Sequence, residues 1–179
     1  MGALRIPSVM PAVVLFATAA LGGAVGSMVG RDALAIAAIF SASTLIVASV
    51  AWDLHARRIP NTWTYPGLAV GLALAIAGGP SDGLSALAGA LLAGVLFLSM
   101  SLVSRGGLGI GDVKLGAALG AFVGPVGAID LVLVTAVAGG LLGVAWLIAG
   151  RGRRSALPYA PALAVGGWMA LAALGPLAT

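Results

Sequence analysis

Few side chains in this sequence could carry acid–base chemistry. The chain has no cysteine and no glutamate, and its single histidine is His55. Disulfides, thiolate chemistry and the H-E-x-x-H motif of zinc proteases are therefore excluded, and no G-x-S-x-G motif accompanies His55. Catalysis by this chain would depend on carboxylates, and we expect no metal and no cofactor. The carboxylates are Asp32, Asp53, Asp82, Asp112 and Asp130.

Asp112 lies in the stretch "RGGLGIGDVKLG", in which it and Lys114 stand among five glycines at the edge of a long uncharged run. Gly109 and Gly111 have no side chains, so another backbone or an extended substrate can come close to this position. The glycines also weaken the start of a helix. The spacing therefore predicts a helix that begins as a loop, with its aspartate at an accessible end.

Asp53 follows the apolar run "STLIVASVAW". The residue before a proline is biased away from helix, so the helix that carries Asp53 is expected to end shortly before Pro60. Asn61 then starts a turn into the next apolar run and is expected to cap it. Trp63 and Tyr65 occupy positions typical of aromatic side chains at a membrane–water interface.

The composition indicates a membrane protein. Hydrophobic residues make up 61% of the chain and charged residues 8%, whereas a soluble domain carries about a quarter charged residues. Because a spanning helix needs about 20 apolar residues, the sequence predicts an all-α polytopic fold with about seven transmembrane helices. We expect residues 1–32 to carry an extra N-terminal helix and residues 33–179 to form a six-helix membrane domain. The predicted spans are 9–29, 33–52, 63–79, 84–103, 108–124, 131–150 and 157–177.

The basic residues predict the orientation, because cytoplasmic loops carry an excess of Lys and Arg. With the N-terminus in the cytoplasm, Arg31 is the only one of the nine basic residues that falls outside. The net charge of +4 is thus explained by topology, and no nucleic-acid partner is expected. The prediction is a multi-pass protein of the cytoplasmic (inner) membrane. In this topology only Asp53 and Asp112 lie at cytoplasmic helix ends.

Two carboxylates at one membrane face have a chemical consequence. A charged side chain at the centre of a membrane helix costs about 2.5–3.5 kcal/mol and less near an end, and such residues usually face a cavity or the bundle interior. Two carboxyl groups that meet in a partly dry site cannot both ionise cheaply, so one keeps a proton. This pairing suits general acid–base activation of water against a peptide carbonyl. We therefore expect Asp53 and Asp112 to form a catalytic pair.

Two motifs carry a resemblance to a known family. D-x6-P-N begins at Asp53 and G-x-G-D-x-K-L begins at Gly109. In this order they resemble the type IV prepilin peptidases, which belong to the GxGD class of intramembrane aspartyl proteases, and the resemblance covers about 33–177. It implies that Asp53 and Asp112 match the two catalytic aspartates, and that Gly109 and Gly111 match the glycines of GxGD.

The resemblance implies an activity and partners. Such enzymes cut the short basic leader from prepilin-like membrane proteins at the cytoplasmic face, usually after a glycine and just ahead of a hydrophobic helix. Larger members carry an N-terminal cytoplasmic region with paired cysteines and also N-methylate the new terminus. This chain has no cysteine and resembles the compact, peptidase-only branch, so methylation is not expected. The expected partners are prepilin-like substrates and the lipid bilayer, with a homodimer left open.

Other interpretations of the same residues are open at this point. Asp112 could pair with Lys114 and its helix dipole, and Asp53 could pair with Arg57 one turn later. Lys114 could also stabilise the aspartate pair, bind substrate or anchor the topology. The alternative functions are a small membrane transporter and a non-catalytic scaffold of a pilus or secretion system that uses these aspartates structurally. The residues expected to bind substrate or shape the site are Gly109, Gly111, Lys114, Pro60 and Asn61.

Overall fold

The computed structural model describes residues 33–56, 58–104, 108–150 and 159–173. Every regular element among these residues is an α-helix, so the all-α prediction is confirmed. The predicted N-terminal span, 9–29, and the segment 1–32 that contains it lie outside the described residues. The helices are α1 (Ala33–Ala56), α2 (Asn61–Gly78), α3 (Pro80–Val103), α4 (Ile110–Ile148) and α5 (Ala160–Ala173).

The helices have the length and apolarity of a multi-pass membrane protein. Among the described residues, α1, α3 and α4 are long and apolar enough to cross a membrane, while α5 is a shorter apolar helix. The count of about seven spans stays a prediction. The outward faces of α3 and α4 carry large apolar side chains of the kind that contact lipid. These include Leu84, Leu91, Val95, Val126, Leu133, Val137 and Leu141.

Glycine and proline set the helix ends, as the sequence predicts. Gly79 separates α2 from α3 with φ 147°, a left-handed backbone that favours glycine. Pro80 follows in the first turn of α3, where the missing N–H of proline costs no helical hydrogen bond. α5 begins at Ala160, three residues later than the predicted span, because Tyr159 is the residue whose carbonyl accepts the first helical hydrogen bonds.

α4 contains two predicted spans in one helix with a break. Gly124 has φ 65° and ψ −175° inside the helix, and Pro125 starts the second segment. Residues 125–130, which lie between the predicted spans 108–124 and 131–150, are therefore helical as well. Gly124 alone supplies the left-handed conformation that the bend requires, and Pro125 is tolerated because it occupies the first turn of the new segment. Asp130 consequently lies within a helix.

α3 and α4 make close backbone contact at the centre of the bundle, and these two helices share its most extensive interface. A Cβ on Gly89 would collide with the carbonyl oxygen of Gly120 and would lie 2.7 Å from Cα of Gly124. A Cβ on Gly116 would collide with the buried ring of Phe97. Small residues thus let the helices approach, as in other membrane bundles. Fully buried side chains from all five helices surround this contact, among them Leu45, Ile46, Val70, Phe97, Leu115, Leu119, Leu131 and Leu163.

We predict that Gly89→Ala lowers the free energy of unfolding by about 1–3 kcal/mol, because the new methyl group meets backbone atoms that cannot move aside. Gly143→Ala is the matched control, since a Cβ at Gly143 meets no atom within 4 Å. Thermal unfolding of both variants in detergent micelles measures the difference. Equal unfolding midpoints for the two variants would contradict the close α3–α4 contact.

Candidate functional site

Asp53 lies in the last turn of α1 and is 7% exposed. Its Oδ2 accepts a hydrogen bond of 3.1 Å from the backbone N–H of Ala160. Ala160 is the first residue of α5, so the positive end of the α5 dipole is directed at this carboxylate. The hydrogen bond joins two helices that are distant in sequence and defines one end of the bundle, here called the aspartate end.

Asp112 lies in the first turn of α4 and is 8% exposed. Its Oδ2 accepts a 3.0 Å hydrogen bond from the backbone N–H of Gly109, the N-cap residue of that helix. Asp112 therefore stabilises the start of its own helix, as one of the structural interpretations expects. That role uses one carboxylate oxygen and gives no reason for the burial of the group.

The two carboxyl groups come together at the aspartate end. They are close enough for the negative charge of Asp53 to act on Asp112. Both side chains are buried, and they belong to different helices. Two carboxylates in such a position cannot both ionise without cost, so a shared proton is the favoured arrangement. Acid–base activation of water would use two carboxyl groups in this kind of arrangement.

Leu108, two residues before α4, is held by two serines at the end of α3. Ser101 Oγ donates a 2.7 Å hydrogen bond to the carbonyl of Leu108, and the Leu108 N–H donates to Ser104 Oγ at 3.2 Å. The Leu108 side chain is itself buried. These contacts fix the chain one residue before Gly109, and so they fix where Asp112 enters the bundle.

The glycines beside Asp112 have distinct steric roles. A Cβ on Gly111 would lie 3.1 Å from Cβ of Ile59 and 3.4 Å from its carbonyl oxygen. Gly111 therefore lets the segment before Pro60 pack against the start of α4. A Cβ on Gly109 would lie 3.2 Å from Oδ2 of Asp112, so this glycine leaves room for the carboxylate.

Lys114 contacts α2. Its Nζ donates a 3.0 Å hydrogen bond to Oδ1 of Asn61 and lies 5.2 Å from the centroid of the Tyr65 ring, within cation–π distance. The expectation that Asn61 caps its own helix is wrong, because Pro60 is the N-cap and no side chain makes the capping hydrogen bond. Lys114 and Asn61 instead tie the first turns of α4 and α2 together.

Trp63 packs into the bundle core, whereas the prediction that Trp63 and Tyr65 lie at the depth of the membrane interface stays a prediction. Its side chain is 8% exposed, whereas Tyr65 is 53% exposed. Because α2 starts at Asn61, position 63 falls on the same helical face as the buried Gly67 and Val70, one and two turns further on. Helix phase, which depends on the starting residue, decides which aromatic faces outward.

Tyr159 and Ala160 are site residues that the sequence reasoning missed. The Tyr159 hydroxyl donates a 3.3 Å hydrogen bond to the carbonyl of Thr135, and the phenol lies within range of the charge of Asp112. A signal was present in the sequence, because Pro161 marks a helix start. The predicted topology places that start at the end where Asp53 and Asp112 lie.

The other acidic and basic candidates lie apart from the pair. Asp82 lies at the start of α3 and lines a cavity of about 630 Å³ beside the break at Gly124. At 1.5 Å per residue, that break is about 18 Å along α4 from Asp112. Asp130 follows that break, and His55 is exposed in the last turn of α1. Within the described ranges, no three acidic or histidine side chains group as a metal site would require.

Comparison with known proteins gives a consistent result. A profile of the type IV leader peptidase family matches residues 39–144. The prepilin leader peptidase/N-methyltransferase of Xanthomonas campestris is 35% identical over 138 residues, which cover 71% of this chain and 46% of that protein. The protein of the same name from Burkholderia pseudomallei is 37% identical over 158 residues (84% and 50%), and that from Bacillus subtilis 33% over 171 residues (93% and 66%). The chain thus spans about half to two thirds of the length of these curated relatives. No solved structure matches the chain.

Because the two aspartates lie close together, we predict that cysteines placed at their positions can be cross-linked. The chain has no native cysteine, so an Asp53→Cys, Asp112→Cys double variant presents one thiol pair to a short bifunctional thiol reagent. We expect an intramolecular link, detected by mass spectrometry of the digested protein. The control is Asp53→Cys with Asp82→Cys, because Asp82 lies beside the break at Gly124, about 18 Å along the first segment of α4 from Asp112. A link in both pairs, or in neither, would contradict the arrangement.

Proposed function

The chain belongs to the type IV leader peptidase family, and on this basis we propose that it is an intramembrane aspartyl endopeptidase that removes the leader from prepilin-like proteins. The observation that carries the proposal is the pair of buried carboxyl groups, Asp53 and Asp112, whose charges interact at one end of an apolar bundle. Asp53 begins the D-x6-P-N motif and Asp112 completes G-x-G-D, and both motifs resemble those of the family. Both aspartates fall within the residues that the family profile matches.

In the proposed mechanism, Asp53 and Asp112 share one proton and hold a water molecule between them. The ionised carboxylate takes a proton from the water as its oxygen bonds to the carbonyl carbon of the scissile peptide. The protonated carboxyl donates its proton to the carbonyl oxygen. The tetrahedral gem-diol intermediate then collapses: one of its hydroxyl groups gives its proton to the ionised carboxylate, the C–N bond breaks, and the protonated carboxyl delivers its proton to the leaving amine. The cycle ends with one shared proton, as it began.

The proposed substrate is a membrane protein with a basic leader ahead of an apolar helix. The named relatives are leader peptidases and N-methyltransferases. We propose the peptidase activity for this chain, because the residues that carry the proposal are the two aspartates. Gly109, Gly111 and Pro60 would shape the site. Lys114 and Asn61, which bond to each other, would hold α2 and α4 in place beside it.

We further propose the membrane arrangement that the basic residues predict. Residues 1–32 would supply an extra transmembrane helix before a six-helix domain formed by 33–179, giving about seven spans in the cytoplasmic membrane. The N-terminus and the aspartate end would then face the cytoplasm. This places the pair on the side where a newly made preprotein still carries its basic leader.

A cleavage assay tests the proposed function. Purified protein in detergent is mixed with a prepilin-like substrate that has a basic leader, a glycine at the cut site and an apolar helix. Wild type should cut it, and Asp53→Asn and Asp112→Asn should each lower kcat by about 10²- to 10⁴-fold because each removes one member of the acid–base pair.

Asp130→Asn and Asp82→Asn are the matched controls, since both change an aspartate of the same chain outside the pair. They should cut at the wild-type rate. If the wild type cuts none of several such substrates, the proposed activity is wrong. If all four variants cut as the wild type does, the aspartate pair is not the catalyst.

A further inference from the structure

We propose that the start of α5, Ala160 together with the preceding Tyr159, is the positioning element of the aspartate pair: the Ala160 N–H orients the Asp53 carboxylate, and Tyr159 fixes that N–H against the helix that carries Asp112. The inference rests on the proposed function and deepens it. α5 lies wholly beyond the residues 39–144 that the family profile matches, and no catalytic motif in the sequence includes it.

The position of Asp53 at the end of α1 is unfavourable for a carboxylate unless another element stabilises it. A carboxylate in the last turn of α1 faces the negative end of its own helix dipole, where anions are disfavoured. The N-terminus of α5 supplies the opposite field, and the Ala160 N–H supplies a hydrogen bond of 3.1 Å. Ala160 is fully buried, so water does not compete for this bond, and a bond to a charged acceptor is stronger in such surroundings.

Tyr159 holds the start of α5 against α4. Its hydroxyl donates to the carbonyl of Thr135 at 3.3 Å, and its ring fills the space over Gly139, where a Cβ would come within 2.6 Å of the ring carbon that bears the hydroxyl. The Tyr159 carbonyl accepts from the N–H groups of Ala162 and Leu163 at 3.0 and 3.2 Å. One residue is thus anchored in α4, and the next donates to the aspartate of α1.

Three helices therefore contribute to the site in different ways. α1 and α4 each supply a carboxyl group, and α5 supplies no acid–base group but sets the distance and orientation between the two. Because a catalytic group must sit within a fraction of an ångström of its productive position, a loss of this contact should slow the chemical step and leave substrate binding unaffected. Ala160 is therefore a positioning residue.

The test compares Ala160→Pro with Ala160→Val in the cleavage assay. Proline removes the N–H and is compatible with the first position of a helix, whereas valine adds similar volume and keeps the N–H. We expect kcat of Ala160→Pro to fall about 10- to 100-fold below that of Ala160→Val, the effect of losing one hydrogen bond to a charged group, with KM the same in both. A proline variant as fast as the valine variant would overturn the inference, unless both are inactive or unfolded.

If both Ala160 variants are inactive or unfolded, amide-to-ester replacements at Ala160 and Ala162 test the role of the Ala160 N–H without a change of side-chain volume. The ester at Ala160 removes the N–H that faces Asp53, while the ester at Ala162 removes an N–H that bonds only within the first turn of α5. A fall in kcat confined to the ester at Ala160 supports the inference. Equal rates for the two esters overturn it.

Infrared spectroscopy separates this inference from the proposed function. The carboxylate stretching band of Asp53, identified by its loss in Asp53→Asn, should shift in the Ala160 ester and not in the Ala162 ester. An unshifted band refutes the hydrogen bond whatever the cleavage result. If the band shifts but the wild type cuts no prepilin-like substrate, the hydrogen bond is supported. The peptidase proposal is then rejected, and so is the role of this hydrogen bond in catalysis.

Discussion

The negative charge of Asp53 acts on Asp112 because both carboxyl groups are buried at the same end of an apolar bundle. A carboxylate in such surroundings needs hydrogen-bond donors, and few side chains here can serve. Backbone N–H groups at helix starts provide them: Ala160 at the start of α5 for Asp53, and Gly109 at the start of α4 for Asp112. The starting residues of these two helices are therefore tied to the chemistry of the pair, and a helix that began one residue earlier or later would present a different N–H.

Much of the remaining structure can be understood as keeping those helix starts in place. The hydrogen bonds of Ser101 and Ser104 to Leu108 hold the loop that leads into α4. Gly111 admits the segment at Ile59, so that the end of α1 and the start of α4 come together. Further along α4, the small residues that face α3 permit backbone contact, and that contact fixes the first segment of α4 up to the break at Gly124. None of these residues is charged, which explains how a chain with so little polarity can build a polar site.

The sequence was sufficient to predict an all-helical fold, most helix positions and the burial of Asp53 and Asp112 at helix ends, because apolar run length, proline and glycine breaks, and charge placement encode these features directly. It was insufficient for contacts that depend on helix rotation. Trp63 faces the core and Asn61 bonds to Lys114, but α2 is apolar on every side, so no polar face indicates its rotation in lipid. The part of α5 in the site also escaped prediction, because the group that acts is a backbone N–H, which every residue except proline has.

The central claim is that the carboxyl group of Asp53 interacts with that of Asp112. The direct measurement is the pH titration of ¹³C-labelled aspartate carboxyl resonances of the protein in lipid, with Asp112 assigned through the resonance lost in Asp112→Asn. If the account is right, replacing Asp53 with asparagine changes the midpoint at which Asp112 titrates, because a neighbouring charge has been removed. If Asp112 titrates with the same midpoint in wild type and in Asp53→Asn, the two groups do not interact, and the account of a shared-proton pair is contradicted.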